Sequence, residues 1–96
     1  MPPITLPTPF QRRGKNAYVA LVPQLKNDSD TLDAPSRSPF VLCENEKELG
    51  PAHSTHAEIE SAGRGRYSHW NEGVIFSTSD NTDPNTNGRT YTLVRS

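Results

Sequence analysis

Polar side chains crowd the last third of this chain, most densely in the run SDNTDPNTNG at residues 79–88. Asp83, Asn85 and Asn87 fall at alternate positions there, and Gly88 follows. Oxygen-bearing side chains at every second residue, then a Gly for a sharp bend, form the first half of a calcium-binding loop. Asp80 and Asn81 could add oxygens. The twelfth position of that pattern calls for Glu and holds Val94 here. Few carboxylates are at hand, so the expectation is weak binding of a hard divalent cation. The competing reading is a hairpin loop whose Asn-Gly pair supplies positive φ angles. His53 and His56 stand three apart, and a zinc site there would need a third ligand such as His69, Glu58 or Cys43; no familiar ligand spacing links them. Ser54, Ser68, Ser77 and Ser79 are candidate nucleophiles without a Gly-x-Ser-x-Gly elbow, so catalysis by this chain is not expected.

A surface binding site asks less of a small domain. Arg64, Arg66, Tyr67, His69, Asp80, Asn81 and Arg89 combine planar rings with fixed hydrogen-bonding groups. Sugar recognition needs that mixture, because apolar sugar faces stack on aromatic rings while hydroxyls seek paired donors and acceptors. The segment Gly63-Arg64-Gly65-Arg66 could also grip a carboxylate or phosphate through forked guanidinium contacts. The alternative is structural: Tyr67 and Trp70 belong to the core, and Arg66 or Arg89 pairs with Asp80 or Asp83 to pin the loop.

Composition sets bounds on these readings. Ninety-six residues suit one domain, and a hydrophobic share of 31% predicts a thin core. The net charge of −1 is no argument for a nucleic-acid partner, and none is expected. That charge is unevenly spread: +4 over residues 1–26, −6 over 27–60 and +1 over 61–96. A basic arm beside an acidic middle fits pairing within the fold or an acidic protein partner. One Cys, following Phe40-Val41-Leu42, cannot form an internal disulfide and reads as a buried thiol. No apolar run approaches a membrane span, and Met1 to Phe10 does not read as a signal peptide, so the cytoplasm is the expected compartment.

The elements that must position these residues are short. Residues 1–15, with Pro at 2, 3, 7 and 9, read as an irregular arm, and 16–96 as a single β-rich domain. Tyr18 to Val22 predicts a first strand. Gln24 to Ser38 is a long polar loop, either mobile or wrapped along an edge strand, with Leu32 as its anchor candidate. Pro39 to Glu44 and Glu48 to Gly50 predict two strands around a turn at Asn45. Thr55 and Glu58 stand at capping-box spacing, and Gly63 sits where a left-handed cap is wanted, so His56 to Ala62 predicts the one helix. Arg66 to Trp70, Val74 to Ser79 and Arg89 to Val94 then read as a three-stranded meander. Alternation along the first of these puts Tyr67 and His69 on one face, Ser68 and Trp70 on the other. The expected fold is mainly β (α+β): an antiparallel sheet of about five strands with one short helix. Phe40, Val41, Ile59, Trp70, Ile75, Phe76, Tyr91 and Leu93 are its expected core.

The blocks LGPAHSTHAEI, GRGRYSHW and FSTSDNTDPNTNGRTY resemble a small β-rich module of bacterial proteins of surface-polysaccharide and glycan metabolism. The likeness runs from Tyr18 to the end, roughly four-fifths of the chain. Such a module stands beside methyltransferases, glycosyltransferases or hydrolases, so the resemblance implies an accessory domain rather than a reaction. The expected function is therefore a non-catalytic binding module for a glycan or a glycan-processing partner enzyme. Its alternatives are a weak calcium or metal-dependent protein centred on Asp80 to Gly88, and a structural protein-interaction domain. No cofactor is expected beyond that calcium.

Overall fold

The structure is a computed structural model describing residues 2–96. Its eight strands are β1 (Ile4–Thr5), β2 (Gln11–Arg12), β3 (Tyr18–Leu21), β4 (Phe40–Glu44), β5 (Lys47–Glu48), β6 (Tyr67–Trp70), β7 (Gly73–Phe76) and β8 (Tyr91–Arg95). A 3-10 helix at Pro23–Asp28 and an α-helix, α1 (His56–Ser61), complete the set. The strands form two antiparallel four-stranded sheets, in the orders β1-β8-β4-β5 and β2-β3-β7-β6. Leu6, Phe40, Leu42, Tyr91 and Leu93 from the first meet Tyr18, Ala20, Tyr67, Val74 and Phe76 from the second in one buried cluster. The sheets therefore pack face to face.

This corrects the expected single sheet and its meander. β6 and β7 do form a hairpin, with Trp70 opposite Gly73 and Tyr67 opposite Phe76. β8 instead lies between β1 and β4 in the other sheet. The connection at residues 77–90 is too long for a tight turn, and it crosses from one layer to the other. Ser77 and Thr78 are fully buried at that crossing.

The N-terminal arm is also more than an irregular tail. β1 pairs with β8 and β2 with β3, so the arm supplies an edge strand to each sheet. Leu6 and Phe10 enter the core, and the Phe10 ring meets Phe76 and Tyr91 edge-on at 5.2 and 5.7 Å. A chain with few apolar residues has to recruit them from its ends.

Local signals act as their chemistry dictates. Thr55 Oγ1 accepts from the Glu58 amide and Glu58 Oε1 from the Thr55 amide, closing the capping box. Gly63 follows the helix at φ 62, where a Cβ would run into Asn81. Asn45 and Glu46, at φ 48 and 73, make the two-residue turn between β4 and β5. Helix α1 lays Ile59 on Ile75 and Ala17 over the outer face of the second sheet.

Candidate functional site

The loop after the 3-10 helix is clipped along the free edge of β6. The Asp30 amide donates to the His69 carbonyl at 2.8 Å, and Asp30 makes a parallel bridge with Trp70. Arg37 Nε donates to the Ser29 carbonyl at 2.8 Å and closes the loop on itself. The long polar segment thus wraps an edge strand. Leu32 anchors nothing and is 89% exposed.

This wrapping buries a carboxylate. Asp30 is 3% exposed, and both its oxygens have partners. Oδ1 accepts from the Ser38 amide at 2.8 Å, and Oδ2 lies 2.7 Å from His53 Nδ1. An ionised carboxylate can only accept, so it places a proton on Nδ1. Among the described residues His53 Nε2 has no hydrogen-bond partner. His53 itself sits at φ 56, a conformation a non-Gly residue adopts only when its surroundings hold it there.

Asp30, His53, Ser54, His56, Ser68 and Trp70 line a cleft of about 230 Å³ between the loop, the start of α1 and the outer face of β6. Drug-sized sites run from about 300 to 1,000 Å³, so this one suits a single ring-sized group. Ser68 is buried, lines the cleft, and its hydroxyl has no partner among the described residues. A buried unpaired hydroxyl costs about 1–3 kcal/mol. Trp70 is half-buried rather than core, and its ring meets His56 edge-on at 6.2 Å. Burial, followed by the nearby Arg13, pushes the His56 imidazole below its usual range; Glu60 opposes them without prevailing. The ring is therefore neutral at pH 7.

The residues expected from the sequence to share one rim are dispersed. Tyr67 is 3% exposed, with its hydroxyl toward the Phe40 carbonyl at 3.5 Å. His69 is buried beside Phe40, and its Nδ1 lies 2.8 Å from Ser38 Oγ. Burial depresses its pKa and outweighs the pull of Asp30 and Asp28. Alternation correctly separated Tyr67 and His69 from Ser68 and Trp70, but the aromatic facing a cleft is Trp70. Arg64 is exposed at φ 54, and its amide donates to Asn81 Oδ1 at 2.7 Å. Asn81 Nδ2 also donates to the Ala62 carbonyl, and Arg66 Nη1 to the Gly63 carbonyl. The Asn81 side chain thus ties the turn after α1 to the long loop, and Arg66 closes that turn on itself.

Asp80 and Arg89 do meet, in a forked pair at 2.8 and 2.9 Å. Arg89 and the Thr82 hydroxyl hold the Asp80 carboxyl well below the usual range. Beside them lies Glu44, which the sequence did not single out. Its oxygens accept from the Ser79 hydroxyl, the Ser79 amide and the Tyr91 hydroxyl at 2.6, 3.2 and 2.7 Å. Burial raises the Glu44 carboxyl, yet these donors and Arg89 win and leave it below its ordinary value.

The expected calcium ligands do not converge. Asn85 Oδ1 accepts from the Phe10 amide and its Nδ2 donates to the Phe10 carbonyl, locking the arm. Asn87 Nδ2 donates to the Tyr91 hydroxyl, and its Oδ1 accepts from the Arg89 amide. Asp83 Oδ1 accepts from the Asn85 amide. Alternate spacing here serves hydrogen bonding within the chain. Among the described residues no group of three or more His, Cys, Asp and Glu side chains is placed to hold a metal. Likewise, no helix among them is long and apolar enough to cross a membrane.

Asp30 carried no signal in the sequence beyond lying in a long loop. His53 and Ser68 were visible only as candidate chemistry without a partner. No family model, curated protein or solved structure matches this chain.

Proposed function

We propose that this domain is a non-catalytic accessory module that binds a carbohydrate in the cleft between Asp30, His53, Ser68 and Trp70. The observation that carries the reading is the Ser68 hydroxyl, buried and unpartnered in a cleft walled by the chain's only Trp. An aromatic wall takes the apolar face of a pyranose. Ser68, His53 Nε2 and the neutral His56 supply hydroxyl partners of both kinds. As an accessory module, the domain would hold a glycan for a glycan-processing enzyme. Binding should be read by the fluorescence of Trp70 across a glycan array and by calorimetry. Trp70→Ala and Ser68→Ala abolish it at unchanged melting temperature, whereas Arg64→Ala leaves it intact. An array with no saccharide that perturbs Trp70 sinks the reading.

The Asp30–His53 pair favours a second reading. A carboxylate on Nδ1 makes His53 Nε2 a general base, suited to hydrolysing an ester on the same ligand. Hydrolysis of p-nitrophenyl acetate that falls to background in both Asp30→Asn and His53→Ala would favour it. A wild-type rate no higher than the buffer's removes it.

A further inference from the structure

Asn87-Gly88 is the one Asn-Gly pair in the chain; each of the other six asparagines precedes a residue with a Cβ. That Cβ crowds the amide nitrogen following an asparagine, and Gly leaves it open. Gly88 is exposed, and a Cβ there would meet nothing within 4 Å. Its nitrogen, after losing its proton to hydroxide, can bond to Asn87 Cγ. The Cγ–Nδ2 bond then breaks, Nδ2 takes a proton from water, and ammonia leaves a succinimide ring behind. Water opens that ring at either carbonyl. Opening at Cγ gives Asp in place of Asn87, and opening at the main-chain carbonyl gives isoaspartate. Nothing is oxidised or reduced: one water enters and one ammonia departs.

The fold holds the side chain that this reaction must move. Asn87 Oδ1 accepts from the Arg89 amide at 3.0 Å, and Nδ2 donates to the Tyr91 hydroxyl at 2.9 Å and to Thr82 Oγ1 at 3.3 Å. Ring closure draws Cγ onto the Gly88 nitrogen and makes it tetrahedral, which carries Oδ1 and Nδ2 off these partners. Each such bond is worth about two- to tenfold in equilibrium, so the three together slow the reaction at least about tenfold. The product cannot take the amide's place. A carboxylate only accepts. The Tyr91 hydroxyl already gives its hydrogen to Glu44 Oε2, and Thr82 Oγ1 gives its own to Asp80 Oδ1. The new oxygen would meet lone pairs at both places. It would also add a carboxylate beside Glu44 and Asp80, which already share Arg89.

We infer that Asn87 is a site of spontaneous deamidation, guarded while the crossing loop is closed, and that its acidic products keep the loop from closing again. The inference stands apart from the carbohydrate reading and does not depend on it. It gives the domain a chemical lifetime. Each opening of residues 79–90 frees the Asn87 side chain for ring closure, and refolding cannot restore the amide. The isoaspartate product also lengthens the main chain by one carbon just before β8, which draws Arg89 away from Asp80. Either product therefore acts on the connection that joins the two sheets.

The test incubates the intact chain in mildly alkaline buffer with and without guanidinium chloride. Peptides are followed by mass spectrometry and by chromatography that separates aspartate from isoaspartate. In denaturant Asn87 should convert before any other asparagine, and Gly88→Ala should slow it there. Without denaturant its conversion should be at least about tenfold slower. Thr82→Val removes one Nδ2 partner on the exposed loop and should raise the folded-state rate about two- to tenfold, with the rate in denaturant unchanged. The deamidated fraction, isolated by ion exchange and refolded, should melt lower than the unmodified chain and expose residues 79–90 to protease. Asn87→Asp should do the same. Earlier conversion of another asparagine in denaturant overturns the site. Equal rates in the two conditions overturn the guard, and a deamidated fraction that melts with the unmodified chain overturns the consequence.

Discussion

Glu44→Gln replaces one carboxylate oxygen with an NH₂ group at the junction that holds the crossing loop between the sheets. Glu44 is 8% exposed and Tyr91 1%. One carboxylate oxygen accepts from the Ser79 hydroxyl, and the other from the Ser79 amide and the Tyr91 hydroxyl. All three partners donate. An amide has only one acceptor oxygen, so its NH₂ must face at least one of them. A hydrogen bond to a charged group is worth about 1.5–3 kcal/mol net, and the Ser79 hydroxyl must turn from donor to acceptor to meet the NH₂. The expected destabilisation is about 2–3 kcal/mol. For a domain of this size that lowers the melting temperature by roughly 10–20 °C. A second readout is specific to the junction. Burial pushes the Tyr91 phenol well above its usual range, and the Glu44 hydrogen bond pushes it further. In the variant the Tyr91 ring, followed by NMR, should titrate at lower pH, still above an exposed tyrosine. Thermal melting and hydrogen exchange at residues 79–90 complete the assay. If both match the wild type, Glu44 does not clamp the loop and the electrostatic account of the crossing is refuted.

Acidification should destabilise the domain in two stages. His69 has a folded pKa lowered by burial, so the unfolded chain takes up its proton first. Stability therefore falls once pH drops below about 6.5, by at most about 1.4 kcal/mol per pH unit for this one group. The depressed Glu44 carboxyl stabilises the fold above the ordinary glutamate range, and that contribution is lost as pH falls through its folded value. Urea unfolding at pH 7.5, 6 and 4 checks the sign; greater stability at pH 6 than at 7.5 refutes it. Phe10→Ala should cost about 3–5 kcal/mol, as for other buried phenylalanines, and a loss under 1 would show that the arm is not core. Asn85→Ala removes both hydrogen bonds to Phe10 and should cost about 1–2 kcal/mol while exposing residues 7–15 to protease. Millimolar calcium should leave the melting temperature unchanged, because the oxygens of Asn85 and Asn87 are already engaged. A rise would restore the calcium reading of the loop.

What the sequence by itself determined is what neighbouring residues decide. The capping box at Thr55, the left-handed Gly63, the turn at Asn45 and the β6–β7 hairpin all depend on contacts a few residues apart. The same holds for the split of Tyr67 and His69 from Ser68 and Trp70, since side chains alternate along any strand. Tertiary structure decided which of those pairs became core. The second sheet turns Tyr67 inward against Phe40 and Leu42, while the wrapped loop and the start of α1 frame Trp70 outside. It also decided that β8 joins the opposite sheet and that the arm pairs at both edges, matters of register between residues up to 89 positions apart in β1 and β8. The meeting of Asp30 with His53 is of that kind as well. A buried carboxylate and its imidazole are 23 residues apart, and only the loop's path along β6 brings them to 2.7 Å. Local chemistry carries no record of that path, because it is chosen by which apolar faces the whole chain can cover at once.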